Sequence, residues 1–137
     1  MSENLEVVRD QYAATNERDF ARAMSHYDVD VVLKVPSGFL DPGTYQGRDA
    51  VGAWFGDWFR SFDRDARFEL EELSELDSGA VLLVADHHAR GRGSGVEVHT
   101  TLVWVYGFRG GKIARVDGHA TRTEAVEAAG PGTRNAP

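Results

Sequence analysis

The stretch Val96–Ala120, VEVHTTLVWVYGFRGGKIARVDGHA, decides the fold because it has the pattern of one long β-hairpin. Its large side chains alternate with smaller ones, so one face carries Leu102, Trp104, Tyr106 and Phe108, and the other carries Val103 and Val105. Two glycines in the run 109–112 supply the positive φ angles of a tight turn. Both faces are apolar. We therefore expect the aromatic face to be the wall of a core or pocket, and the valine face to be covered by more protein, with a second subunit as one possibility.

Composition excludes several classes of partner and chemistry. The 137 residues carry a formal charge of −7, which argues against nucleic-acid phosphates and anionic membrane surfaces as partners. There is no cysteine, so disulfides and thiolate chemistry are excluded. The sequence has no apolar run of about eighteen residues and no signal-peptide pattern at its start. We predict a cytoplasmic protein with one domain over residues 1–130 and a disordered tail over 131–137.

Upstream of the hairpin, the periodicity predicts three helices followed by strands. The first helix is capped by Ser2 or Asn4, the second is capped by Asp19, and the third runs from Arg48 to Phe62 with a wide aromatic face. Predicted strands and a last short helix occupy 31–35, 68–76, 81–90 and 124–129. Segment 37–46 contains glycine, proline and aromatic residues, which is typical of a lid or pocket rim. This order predicts an α+β fold, with helices packed on one face of a curved, mostly antiparallel sheet.

Three local strings, together with this order, carry a resemblance to a known family. They are YAATNERD at 12–19, YQGRDAV at 45–51 and GKI at 111–113. The chain resembles the nuclear transport factor 2-like superfamily in its SnoaL-like branch, over residues 5–130. The resemblance implies a cone-shaped barrel with a pocket between the three N-terminal helices and the strongly curved sheet, commonly a homodimer through the outer face of the sheet. It implies no single activity, because the family includes isomerases, cyclases, dehydratases, hydrolases and non-catalytic adaptors.

The family's acid–base residues do not carry over. Tyr12 stands where the ketosteroid isomerases of the family have a tyrosine that donates to an oxyanion. Val35 stands at the place of their general base, Trp104 at the place of their second oxyanion donor, and Gly118 at the place of the catalytic aspartate of SnoaL-type cyclases. Asp117 is one residue away from that place, so its side chain belongs to the opposite face. Both of the best-known chemistries of the family therefore lack their acid–base group.

Tyr12 and His87 are the remaining candidates for catalysis. Tyr12 is interpreted either as a donor to a ligand oxygen or as a core tyrosine whose hydroxyl meets a backbone carbonyl. His87 shares its face with Leu83 and Ala85, where small neighbours leave room for a ligand, and it is interpreted either as an acid–base group or as a structural histidine. His88 points to the opposite face.

Two other patterns have simple structural interpretations. His99, His119 and Asp117 share the outer face, but they lie on different parts of adjacent strands, so we predict no metal site. We interpret them as a His–Asp hydrogen bond either between neighbouring strands or across a dimer interface. The glycine-rich run 91–95 lies between strands and does not precede a helix, so we interpret it as a hairpin turn and not as a phosphate cradle.

The sequence therefore predicts an apolar pocket that binds a small apolar or aromatic metabolite without a cofactor or metal. The predicted ligand-binding residues are aromatic: Phe39, Tyr45, Trp54, Trp58, Trp104 and Tyr106. If the protein is an enzyme, we expect an isomerase, cyclase or lyase acting by proton transfer, with His87 as acid or base and Tyr12 as oxyanion donor. The alternative function is a non-catalytic domain that acts through dimerisation and protein contacts. We expect a homodimer that binds neither nucleic acid nor membrane.

Overall fold

A six-stranded sheet in the order β2-β1-β6-β5-β4-β3 organises the chain. The computed structural model describes residues 2–39, 41–62 and 66–129, so the predicted domain end at 130 and the predicted tail lie outside the described residues. The helices are α1 (Glu3–Asn16), α2 (Phe20–Met24), α3 (Arg48–Ser61) and α4 (Arg122–Ala128). The strands are β1 (Tyr27–Val35), β2 (Gly43–Gln46), β3 (Arg67–Glu75), β4 (Val81–Arg90), β5 (Glu97–Arg109) and β6 (Lys112–His119).

The central hairpin forms as predicted. β5 and β6 pair antiparallel, with Trp104 opposite Gly118 and Tyr106 opposite Val116. The turn between them contains Gly110 and Gly111 at φ angles of 58° and 79°, a region that is strained for residues with a Cβ. Among the described strands, every pairing is antiparallel except that of β1 with β6. The α+β prediction, with helices on a curved and mostly antiparallel sheet, is confirmed.

Two boundaries near β1 differ from the prediction. The strand predicted from residue 31 begins at Tyr27, and the segment expected to be wholly a loop ends in the short strand β2. β2 is Gly-Thr-Tyr-Gln and has only one partly buried residue, so it lacks the apolar alternation that marks a strand in sequence. Its strand conformation comes from pairing with β1, where Leu33 lies opposite Tyr45.

Local side-chain contacts fix the ends of the helices. The hydroxyl of Ser2 accepts a hydrogen bond from the backbone N–H of Leu5 at 3.1 Å, so Ser2 is the cap of α1. Asp19 caps α2, as predicted. The Asp10 carboxylate on α1 accepts hydrogen bonds from Arg22 and from His26. The hydrogen bond from Arg22, which has the largest effect, and that from His26 lower the pKa of Asp10 to about 2. The bond between Asp10 and Arg22 also holds α2 against α1.

The two faces of the sheet are covered differently. The inner face packs against α1 and α3 and holds the main core, which includes Leu33, Trp104 and Ile113. On the outer face, the chain's own helix α4 packs on four buried aliphatic residues: Leu82, Val84, Val103 and Val105. The cover that the valine face required is therefore intramolecular. Among the described residues, no helix combines the length and the apolar composition needed to cross a membrane.

Candidate ligand pocket

An apolar cavity lies where α1 and α3 cover the inward face of the central hairpin. Its volume is about 40 Å³, and we call it the inner lobe. Its lining includes four residues predicted to be in the pocket: Tyr12, Trp58, Trp104 and Tyr106. Small or aliphatic side chains of β4, including Ala85, complete the wall. The hollow predicted between the tryptophan-bearing strand and the first helix is present, but it is small.

A second cavity, the outer lobe, lies between α1, α2 and α3 and has a volume of about 140 Å³. Gln11, Thr15 and Phe55 line both lobes and separate them. Tyr27 lies in the wall of the outer lobe, and its ring stacks on Phe55 with ring centroids 6.4 Å apart. Because the lobes share these three side chains, a movement of Phe55 would change the volume of both.

Gln11, Thr15, Phe55 and Tyr27 are pocket residues that the sequence analysis did not name. Gln11 is buried, and its amide donates to the Thr15 hydroxyl at 3.0 Å. The signal was available, because Gln11 follows Val8 by three residues and so lies on the buried face of the first helix. Phe55 lies within the helix predicted to have a wide aromatic face, and Tyr27 lies before the strand that was predicted to begin at residue 31.

The other predicted pocket aromatics form a layer behind the inner lobe. Phe39 packs edge-on against Trp58 and Trp104, with centroids 6.2 Å apart in each pair. Trp54 contacts Trp58 at 4.7 Å, and Tyr45 contacts Trp54 at 6.4 Å. Neither lobe has Phe39, Tyr45 or Trp54 in its described lining. These three side chains therefore support the lining residues and do not themselves face the cavities in this conformation.

Tyr12 has its hydroxyl engaged with the main chain. The hydroxyl donates to the backbone carbonyl of Phe68 at 2.7 Å, which is the structural alternative stated for this residue. Asn16 donates to the same carbonyl at 3.1 Å. The Tyr12 ring lines the inner lobe, so the residue shapes the cavity while its polar atom joins α1 to β3.

His87 is buried among aromatic rings behind the inner lobe. Its imidazole stacks on Phe68 at 4.8 Å and meets Phe62 and Trp58 edge-on at 4.9 and 5.3 Å. Burial, as the largest cause, lowers the pKa of His87 to about 4, so the ring is neutral at pH 7. Its Nε2 atom is buried and has no hydrogen-bond partner among the described residues. His87 is not part of the described lining of either lobe, but its imidazole contacts Trp58 and Phe68, which line the inner lobe.

Two other buried polar atoms have no hydrogen-bond partner within the described part of the chain. They are the Tyr27 hydroxyl and the Trp58 Nε1. Burial raises the pKa of Tyr27 well above its ordinary value, so the hydroxyl stays protonated and can donate. Most buried polar groups in folded proteins are satisfied, so unsatisfied donors in the walls of cavities mark places where a ligand oxygen or water fits.

Gly118, which the resemblance equates with the aspartate position of the cyclases, has no room for a side chain. A Cβ at Gly118 would lie 2.8 Å from Cδ of Pro36 and 3.3 Å from the backbone oxygen of Lys34. The close approach follows from the parallel pairing of β6 with β1. Val35, at the position of the isomerase base, is buried in the core.

Within the described residues, Asp117 is not the partner of either outer-face histidine. His119 approaches Glu124 at 3.6 Å, and Asp117 is paired with Arg115 at 2.7 Å. His99 lies instead against His88 and Asp86. A His–Asp contact between neighbouring strands therefore forms with Asp86 and not with Asp117, because strand register decides which residues are opposite each other and alternation alone does not give the register.

An α+β cone with an apolar interior between helices and sheet defines a class of small ligand-binding and catalytic domains. The SnoaL-like domain model matches residues 8–116, and the chain belongs to that family. No curated protein matches the chain. The solved structure of Bal32a from a soil-derived mobile gene cassette has 24% identity and a TM-score of 0.80, with 90% of this chain and 92% of that chain covered.

Two further similar structures were determined with small molecules. RV0760c from Mycobacterium tuberculosis, solved with estradiol-17beta-hemisuccinate, has 18% identity and a TM-score of 0.73 and covers 90% of this chain and 97% of its own. TerC, co-crystallised with polyporic acid, has 21% identity and a TM-score of 0.74, with 92% and 97% covered. At these identities the similarity establishes the fold.

Proposed function

We propose that this protein binds a small, flat, apolar or aromatic metabolite carrying a carbonyl or hydroxyl oxygen, in the space formed by the two lobes. The observation that carries the proposal is the pair of buried, unpartnered donors, the Tyr27 hydroxyl and the Trp58 Nε1, in the apolar walls of these lobes. A ligand oxygen would satisfy a donor whose burial otherwise costs about 1–3 kcal/mol. The molecules named in the RV0760c and TerC structures support this class of ligand.

The volumes set a condition on binding. The inner lobe, at about 40 Å³, holds only a few water molecules, whereas an apolar cavity of roughly 150 Å³ accommodates benzene. The outer lobe, at about 140 Å³, is close to that size. We propose that the ligand enters the outer lobe and reaches Trp58 when Phe55, which is only half-buried, rotates away from the boundary.

For turnover we propose proton transfer without a cofactor. His87 is neutral at pH 7 and has an unpartnered Nε2, so it can accept a proton from a carbon next to the ligand carbonyl. The Tyr12 hydroxyl would leave the Phe68 carbonyl and donate to the oxygen on which charge develops. Reaction as an isomerase, cyclase or lyase is thus part of the proposal, and it requires the aromatic rings that enclose His87 to move so that its imidazole faces the inner lobe.

A non-catalytic role in dimerisation is the second candidate. It is favoured by the Tyr12 hydroxyl, which is bonded to the Phe68 carbonyl, and by two exposed valines, Val29 on β1 and Val96 directly before β5, each 61% exposed. A homodimer and a cytoplasmic location belong to the proposal. Sedimentation equilibrium of the purified chain tests the dimer, and a monomer at micromolar concentration would remove this candidate.

The ligand proposal predicts opposite effects of Tyr27→Phe on stability and on binding. Removing an unsatisfied buried hydroxyl is expected to stabilise the unliganded protein by about 1–2 kcal/mol and to weaken the ligand about tenfold. The measurement is thermal unfolding with and without a panel of aromatic ketones and phenols, followed by calorimetry on the best compound. Tyr45→Phe is the matched control, because its hydroxyl donates to the Asp41 carbonyl away from the lobes.

Three outcomes of this experiment are decisive. The proposal is supported if a compound stabilises the wild type, binds Tyr27→Phe less tightly than the wild type, and binds Tyr45→Phe as tightly as the wild type. No stabilisation by any compound, or equal affinity for Tyr27→Phe and the wild type, contradicts it. Proton exchange into the bound compound that is lost in His87→Leu would add catalysis to binding.

A further inference from the structure

Two histidines and an aspartate come together on the outer face of the sheet. The antiparallel register of β4 and β5 places His88 directly opposite His99 and places Asp86 opposite Thr101. One donor atom from each of Asp86, His88 and His99 lies within 4.8 Å of those of the other two. The imidazoles of His88 and His99 are stacked with centroids 4.3 Å apart, and His99 Nε2 is 3.7 Å from Asp86 Oδ2.

We propose that Asp86, His88 and His99 form a binding site for a divalent transition-metal ion of the zinc type. Two imidazoles and one carboxylate are a common set of three protein ligands for zinc, with the fourth position left to water. An ion at about 2.0–2.2 Å from each donor holds the donors roughly 3.4 Å apart, so donor atoms that now lie up to 4.8 Å apart need to approach each other by up to about 1.4 Å. The His99 side chain is 62% exposed and is free to make that adjustment.

The surroundings of the three residues fit a cation. The Thr101 hydroxyl donates to Asp86 Oδ1 at 3.1 Å, which orients the carboxylate and leaves Oδ2 toward His99. Contacts of this kind position metal ligands in known sites. Glu69 lies 3.9 Å from His88 and is also paired with Arg67 at 3.3 Å, so a further carboxylate lies beside the imidazoles and is partly neutralised by an arginine.

The sequence predicted no metal site, because it grouped His99 with His119 and Asp117. The proposed site instead groups His99 with His88 and Asp86. It is also independent of the ligand pocket, because the site lies on the opposite face of the sheet. Alternation correctly placed His88 and His99 on that outer face, but the sequence did not show that they are cross-strand neighbours. The two proposals can therefore fail separately.

The test is titration of the metal-free protein, produced without a polyhistidine tag, with Zn²⁺ by calorimetry and with Co²⁺ by visible absorption. We expect one ion per chain and a Co²⁺ spectrum of low coordination number. His88→Ala and His99→Ala should each weaken Zn²⁺ binding at least about tenfold, since even positioning residues cost 10–100-fold. His119→Ala, on the same face beside Glu124, is the matched control and should bind as the wild type does.

A second pair of variants separates positioning from ligation. Thr101→Ala is expected to weaken Zn²⁺ about tenfold, and Thr101→Ser, which keeps the hydroxyl, to restore it. Circular dichroism verifies that each variant is folded. If His88→Ala does not fold, His99→Ala still tests the site, because His99 is the most exposed of the three ligands. Absence of Zn²⁺ binding, equal losses in His119→Ala, unchanged affinity in His99→Ala, or one ion per two chains would each overturn the proposed site.

Discussion

Acidification from pH 7 to pH 4 is expected to lower the unfolding free energy of the wild type by about 3 kcal/mol more than that of His87→Leu. The pKa of His87 is about 4 in the folded chain, against an ordinary value of 6.5. Between these two pH values the unfolded chain takes up a proton that the folded chain does not. Folding stability therefore falls as pH decreases through this window, and it is unaffected by this group near pH 7.

The measurement is urea-induced unfolding at pH 7.0, 5.5 and 4.0 for both proteins. Carboxyl groups such as Asp10 contribute equally to the two proteins, so the difference between their pH profiles isolates the histidine. Phe39→Leu is a suitable control, since it alters the same aromatic layer without removing a titrating group, and its profile should follow that of the wild type. Parallel profiles for the wild type and His87→Leu would show that His87 is solvated and not enclosed by its aromatic neighbours.

Gly118→Ala is expected to destabilise the protein by about 1–3 kcal/mol, and Gly118→Asp by more. The added Cβ would meet the ring of Pro36 at 2.8 Å, and neither a proline ring nor the adjacent Lys34 carbonyl can move aside without shifting β1. The aspartate additionally brings a charged group against backbone that is already packed. Thermal and urea unfolding measure both effects.

Gly107→Ala is the matched control on the neighbouring strand. Its Cβ would lie 3.6 Å from Cβ of Arg115, an ordinary contact, so the change is expected to be neutral or slightly stabilising. Equal losses of stability in Gly118→Ala and Gly107→Ala would show that the close approach of β6 to Pro36 does not limit the side chain at Gly118. If the prediction holds, a cyclase-type aspartate cannot be introduced at Gly118 by a single substitution.

The sequence was sufficient for the parts of the fold that depend on local periodicity. Alternation around Trp104 predicted the hairpin and assigned its two faces, and the stripe on α3 predicted the helix over the cavity. It was not sufficient for β2, which has no apolar alternation and forms because β1 is beside it. Nor did the sequence show that α4 covers the valine face, since this contact depends on the path of the chain between β6 and α4.

The candidate pocket was predictable in location but not in its polar detail. Tyr12, Trp58, Trp104 and Tyr106 were recognised from periodicity and resemblance. The unpartnered state of the Trp58 Nε1 and the engagement of the Tyr12 hydroxyl depend on sub-ångström placement that no residue pattern specifies. For the same reason, the sequence left both interpretations of Tyr12 open.

The parallel pairing of β1 with β6 has a consequence for the order in which the chain acquires its structure. Leu33 of β1 is opposite Val116 of β6. β1 is synthesised early, but it cannot form this pairing until β6 has left the ribosome. Until then β1 can pair only with the short strand β2, and the aromatic side of α3 has no complete sheet to rest on. Contacts so distant in sequence slow folding, and the nascent chain exposes apolar surface that chaperones recognise for most of its synthesis.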